Sequence, residues 1–83
     1  MQQNPLEIGP AGNRTARAIE RARTMRGIAQ RQLAARATEL GRPMTVTTIS
    51  RIERRRRRCD VDDLVAIAAA LGVSPLALLA GEC

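Results

Sequence analysis

The chain has 83 residues, room for one small domain with a single modest core. Its formal charge is +6 and all 14 basic residues are arginine, a balance that points to an anionic partner and suits bidentate contacts to phosphate or guanine. With no Phe, Tyr, Trp or His, the chain lacks rings to stack on single-stranded bases and an imidazole for acid–base chemistry, which excludes most single-strand readers and most hydrolytic enzymes.

In chain order, residues 1–12 carry two prolines and two glycines without periodicity and read as a flexible arm. Asn13 is placed to cap a first helix running to about Arg26, with Ala18, Ile19, Ala22 and Met25 on its apolar side and Gly27 to stop it. A second helix starts near Ala29 or Gln30 and carries Leu33, Ala34 and Ala37 to Leu40, where Gly41, Arg42 and Pro43 break the chain. Thr45 caps a third, from Val46 to about Arg54, with Ile49 and Ile52 facing the core. Asp60 caps a fourth, whose first turn holds Asp62 and Asp63 and whose buried stripe is Leu64, Ile67, Ala68 and Leu71; Gly72 ends it. Ser74 caps a fifth with Pro75 at its first position. In that last helix Leu76 and Leu79 are expected to close the core, leaving Leu78 exposed as a candidate dimer contact. No segment alternates like a strand. The expectation is an all-α bundle of five helices, organised as an arm over 1–12, one domain over 13–80 and a short tail over 81–83.

The third helix carries the chemistry. Thr47, Ser50 and Arg51 lie at i, i+3 and i+4 on its exposed face, and five consecutive arginines, Arg54 to Arg58, follow it. Small polar side chains backed by dense positive charge suit a helix lying in a DNA groove, with arginines on phosphates and the polar face toward base edges. Taken alone, the arginine run is equally a solvated face that complements the helix dipole; behind a groove-reading helix, phosphate contact through Arg54, Arg55, Arg56 and Arg57 is the better reading.

Three stretches in order, GIAQRQLAARA, TVTTISRIE and VDDLVAIAAALGVSPLALL, resemble the phage-repressor (Cro-like, or XRE) helix-turn-helix family over about 13–79. The resemblance implies a five-helix bundle of that type binding double-stranded DNA. It implies that Gln30 touches a phosphate and braces the recognition helix, that Thr45 meets the backbone, and that Val46, Thr47, Ser50 and Arg51 face bases. It also implies a partly buried pair of Arg23 with Glu53, linking the first helix to the end of the third. Two departures stand out. Leu33 and Ile49 lie about five residues further apart than in the family's common form, which either lengthens the second helix or opens the tight turn, and gives Arg42 access to the DNA backbone. Arg54-Arg55 replaces the usual Asn-Gly, so the third helix is expected to run on or end irregularly.

The function expected is a sequence-specific regulator of transcription, most simply a repressor, reading the major groove with residues 45–54 as a homodimer. The alternative is a protein-interaction module, an antitoxin or an adaptor for the transcription machinery, with DNA binding secondary. An enzyme is a distant third: the chain has no His, Tyr or Lys, and its carboxylates read as caps. Cys59 and Cys83 follow no zinc or redox spacing and read as reduced thiols, so neither metal nor cofactor is expected. With no apolar run near the about 20 residues of a membrane span and no signal-peptide layout, a cytoplasmic, nucleoid-associated bacterial protein is expected. No separate sensing domain fits in this length, so any switch is expected to act through concentration, a partner or a longer parent chain.

Overall fold

A computed structural model describes residues 7–82. Among these the chain forms five helices and no strand: α1 (Pro10–Met25), α2 (Gln30–Glu39), α3 (Val46–Glu53), α4 (Val61–Leu71) and α5 (Pro75–Ala80).

Local chemistry accounts for most boundaries. The Thr45 hydroxyl accepts from the Thr48 amide at 3.1 Å at the start of α3. Asp60 and Asp63 form a reciprocal capping box at α4, the Asp63 amide donating at 2.7 Å to Asp60 and the Asp60 amide at 3.2 Å to Asp63. The Ser74 hydroxyl accepts from Leu76 at α5, where Pro75 supplies a preset first position. Gly72 ends α4 at φ 73, a left-handed conformation that costs glycine little.

α1 departs from expectation. It begins at Pro10 behind Gly9, so residues 10–12 of the expected arm are helical and Asn13 is an interior residue whose amide donates to Gly9 O at 3.0 Å. The cause is packing. A Cβ on Gly12 would lie 2.6 Å from Ile8 Cγ2, so the missing side chain lets Ile8 fold back over the first turn and hold it. Residues 1–6 of the arm and Cys83 of the tail lie outside the described residues. Met25, expected in the core, is 70% exposed because the chain turns away at Arg26.

The core is aliphatic: Ile19, Leu33, Ile49, Ile52, Ile67 and Leu78 are fully buried, with alanines of α1, α2 and α4 between them. Small residues let helices approach closely, and α1 packs most extensively on α5, bringing the first and last helices together. Leu78 therefore corrects the expectation for α5. It is 0% exposed, whereas Leu76 is 74% and Leu79 40% exposed. A buried Leu78 is unavailable as a dimer contact, and the exposed leucines are the two expected inside. Two arginines of α1 hold this arrangement: Arg14 donates to Leu79 O at 2.9 Å and Arg21 to Gly81 O at 2.8 Å, satisfying carbonyls at the end of α5.

Candidate nucleic-acid interface

α3 buries Ile49 and Ile52 against the core and turns its other face outward. On that face Thr47 and Arg51 are exposed, Ser50 is half-exposed, and Val46 is 45% exposed at the leading end. Together with Gln30, Arg54 and Arg56 these residues line one open concavity of about 580 Å³. Three guanidiniums, two hydroxyls and an amide around one face supply donors for phosphates and base edges.

A buried polar node fixes the angle of this face. Glu53, on the last turn of α3, has a side chain only 1% exposed. Its carboxylate accepts from Arg23 Nε at 2.7 Å and Nη2 at 3.0 Å, and from Gln30 Nε2 at 3.0 Å. Arg23 donates further to Ile28 O at 2.9 Å, in the turn between α1 and α2. One carboxylate thus joins α1, α2 and α3. The hydrogen bond to Glu53 raises the Arg23 pKa above its ordinary value despite the opposing effect of burial. Gln30 spends its amide nitrogen on Glu53 while lining the concavity, so it orients α3 from the site's own edge.

α3 ends at Glu53 rather than running on. Arg54 caps it, Arg55 takes a left-handed φ of 61, and the Arg56 amide returns to Arg51 O at 2.8 Å. This glycine-type ending is built without glycine, at a cost of about 1–2 kcal/mol. It points Arg54 and Arg56 back toward the concavity.

The arginine run divides. Arg54, Arg55 and Arg56 are exposed. Arg57 lies 3.5 Å from the Thr48 hydroxyl and 3.7 Å from Asp63, bridging α3 to α4 with long contacts. Arg58 donates to Glu7 O at 3.0 Å. The sequence carried no sign of the Arg58 tether, because Glu7 lies 51 residues away in the chain.

Arg42, expected at the DNA backbone, is turned onto α4 instead. It donates to Asp63 at 2.9 Å through Nε and to Asp60 at 2.9 Å through Nη2. The bond to Asp63 holds its pKa above the ordinary value. The residues added relative to the family's common form open a loop over 40–45 after a short α2. Thr38 Oγ1 ties that loop down by accepting from Met44 N at 3.0 Å and donating to Met44 O at 3.2 Å. Arg42 fastens it to the α4 capping box, so its guanidinium already has two carboxylate partners within the scaffold.

Among the described residues, no helix is long and apolar enough to cross a membrane and no group of His, Cys, Asp and Glu could hold a metal ion.

No curated protein matches the chain in sequence. Among solved structures, the clp gene regulator ClgR from C. glutamicum is similar with a TM-score of 0.77 at 22% identity, over 89% of this chain and 90% of that one. The restriction-modification controller protein C.AhdI from Aeromonas hydrophila gives 0.71 at 21% identity, over 81% and 94%. The wild-type controller protein C.Esp1396I gives 0.74 at 25% identity, over 88% of each. The helix-turn-helix family HTH_3 matches residues 19–78, from α1 to the buried leucine of α5. The chain belongs to this XRE-type helix-turn-helix family, and it is a DNA-binding transcription regulator.

Proposed function

We propose that the protein is a sequence-specific repressor that lays α3 in the major groove and occludes a promoter. The observation that carries this reading is the concavity around α3, where Thr47, Ser50 and Arg51 stand together between Gln30 on one side and Arg54 and Arg56 on the other. In this reading Thr47, Ser50 and Arg51 contact base edges, with Val46 against a thymine methyl. Gln30, Thr45, Arg54, Arg55 and Arg56 meet phosphates, and Arg57 joins them when DNA competes for its long internal contacts. The regulators among the similar folds support a role in transcription, without extending their particular targets to this chain.

One recognition helix reads only a few base pairs, too few for a genome-scale search. A twofold dimer doubles the site and sets the recognition helices about 34 Å apart. Leu76 and Leu79, exposed on α5 and outside the α3 concavity, are the apolar surface best suited to that contact. The protein would act in the cytoplasm, on the nucleoid.

Sequencing genomic fragments retained by the purified protein tests the proposal. A palindromic consensus with half-sites about one turn apart is expected. Fragments without a consensus would reduce the protein to a non-specific binder.

A further inference from the structure

α3 packs chiefly on α2 and α1, and Glu53 ties its last turn to both. Its first turn is held from α4. Asp63, in the first turn of α4 with a side chain 1% exposed, reaches the chain on both sides of α3. Ahead of α3, Arg42 Nε donates to Asp63 Oδ1 at 2.9 Å from the loop that ends on the Thr45 cap. Behind it, Arg57 lies 3.7 Å from Asp63 Oδ2 and 3.5 Å from Thr48 Oγ1. The Thr48 hydroxyl is in turn 3.1 Å from that of Thr45, and the Thr48 amide donates to Thr45 Oγ1 at 3.1 Å. Both routes from Asp63 converge on the first turn of the recognition helix.

We propose that Asp63 is a positioning residue for DNA reading: through Arg42 and Arg57 it sets the first turn of α3, and with it Val46 and Thr47, against the major groove. The role in base reading rests on the sequence-specific function proposed above; the hold on the first turn does not. The ties differ in strength. Asp63 has lost its hydration, so its charge-assisted bond to Arg42 is worth more than an exposed pair. Asp60 accepts from the same guanidinium but is 56% exposed and adds little. The contacts of Arg57 are long, so a phosphate can take its guanidinium, and the Arg42 tie then carries the positioning on DNA.

Thr38 fastens the same loop to α2 through Met44. Arg42 supplies the second direction, from α4, and a loop fixed from one side only can swing about its remaining tie. Val46 and Thr47 stand next to that loop and would be displaced most. Arg51, a turn closer to Glu53, would be displaced least. Loss of the Asp63 tie should therefore blur one end of the half-site and spare the other.

Asp63→Asn and Arg42→Gln test the proposal in the full chain. Asn retains one oxygen for the Asp60 amide, which keeps the α4 cap, and Arg42→Gln leaves the cap untouched. Ile67→Val, a core truncation on the same helix, controls for general loss of stability. In the free protein, amide exchange by NMR should quicken roughly tenfold or more at Met44 and Thr48 in both test variants, while amides around Ile19 in α1 keep their rates. On DNA, both variants should lose roughly 5- to 150-fold on the selected operator, the worth of one base contact. Base preference should relax at the positions that Thr47→Ala also relaxes and persist at the Arg51 position. On a random-sequence duplex, Arg42→Gln should leave the slope of log K against log salt unchanged; a slope lower by about 1 would put Arg42 on a phosphate and overturn the proposal. So would Met44 and Thr48 amides no faster than in Ile67→Val, or faster amides with base preferences intact. A parent protein that selects no operator would defeat the sequence-specific reading alone, and the amide rates and salt slope would still decide whether Asp63 holds the first turn.

Discussion

Glu53→Gln isolates the node that orients the recognition helix. The substitution keeps size and shape but removes the charge from a side chain 1% exposed, and it replaces an oxygen that accepts from Arg23 or Gln30 with a donor. Arg23, 13% exposed, then keeps a nearly buried positive charge without its counterion. Breaking a buried pair in this way costs about 3–5 kcal/mol. A domain of this size has roughly 4–12 kcal/mol of total stability, so the loss removes about a quarter of it or more. At about 4–8 °C per kcal/mol for a small domain, the melting temperature should fall by at least about 12 °C. Gln30→Ala is the internal comparison: it removes one hydrogen bond to the carboxylate and should cost no more than about 1.5–3 kcal/mol. Thermal unfolding by circular dichroism, completed as a double-mutant cycle with Arg23→Met and Glu53→Leu, supplies the coupling energy. A cycle without coupling, or a Glu53→Gln protein melting within 3 °C of the parent, would refute the reasoning.

Arg51→Ala should cost about 1–3 kcal/mol on the selected operator and relax selectivity at one base pair; equal losses on operator and random DNA would place Arg51 on phosphate. Replacing Arg54, Arg55 and Arg56 with Gln should weaken all duplexes alike and lower the slope of log K against log salt by about 1 per lost contact. Fluorescence anisotropy from 50 to 300 mM salt reads this, and an unchanged slope would leave those side chains in solvent. Arg55→Gly should raise stability by roughly 0.5–1 kcal/mol, since relief of the left-handed strain exceeds the added freedom of the unfolded chain; a loss in chemical denaturation would contradict the strained ending. Leu76→Glu should leave the circular dichroism spectrum intact while making the protein monomeric by sedimentation, and a persisting dimer would move the contact elsewhere. Leu78→Glu, by contrast, should unfold the domain.

Where structure follows from neighbours in the chain, the sequence was legible. Thr45, Asp60 and Ser74 cap the helices expected of them, because a cap needs only a side-chain oxygen and an amide two or three residues on. The α4 stripe and the polar face of α3 follow from periodicity in the same way. α5 shows where that reasoning stops. In six residues, helical phase separates Leu78 from Leu76 and Leu79 but does not say which side faces inward; the gap between α1 and α4 decides that. The start of α1 was hidden because Gly12 weakens the helical preference of its first turn, and Ile8 packing over Gly12 outweighs that. The pairing of Arg42 with α4 was hidden because the loop that holds it is absent from the family's common form, and its partners Asp60 and Asp63 lie 18 and 21 residues away.

The hydrogen bonds from Arg14 and Arg21 to the end of α5 span 65 and 60 residues, so they all but close the five helices into a ring. A few glycines and serines joining residue 82 to residue 9 would complete that ring covalently. New ends opened beside exposed Gly41 would cut no helix. Such a permuted chain would keep all five helices, giving up the packing of Ile8 over Gly12 and the bond of Arg58 to Glu7, while reversing which helices are synthesised first. The recognition helix would then emerge ahead of α1 and without Arg23, the partner that its Glu53 awaits. For this fold, the order of the helices along the chain would thus be separable from their arrangement in space.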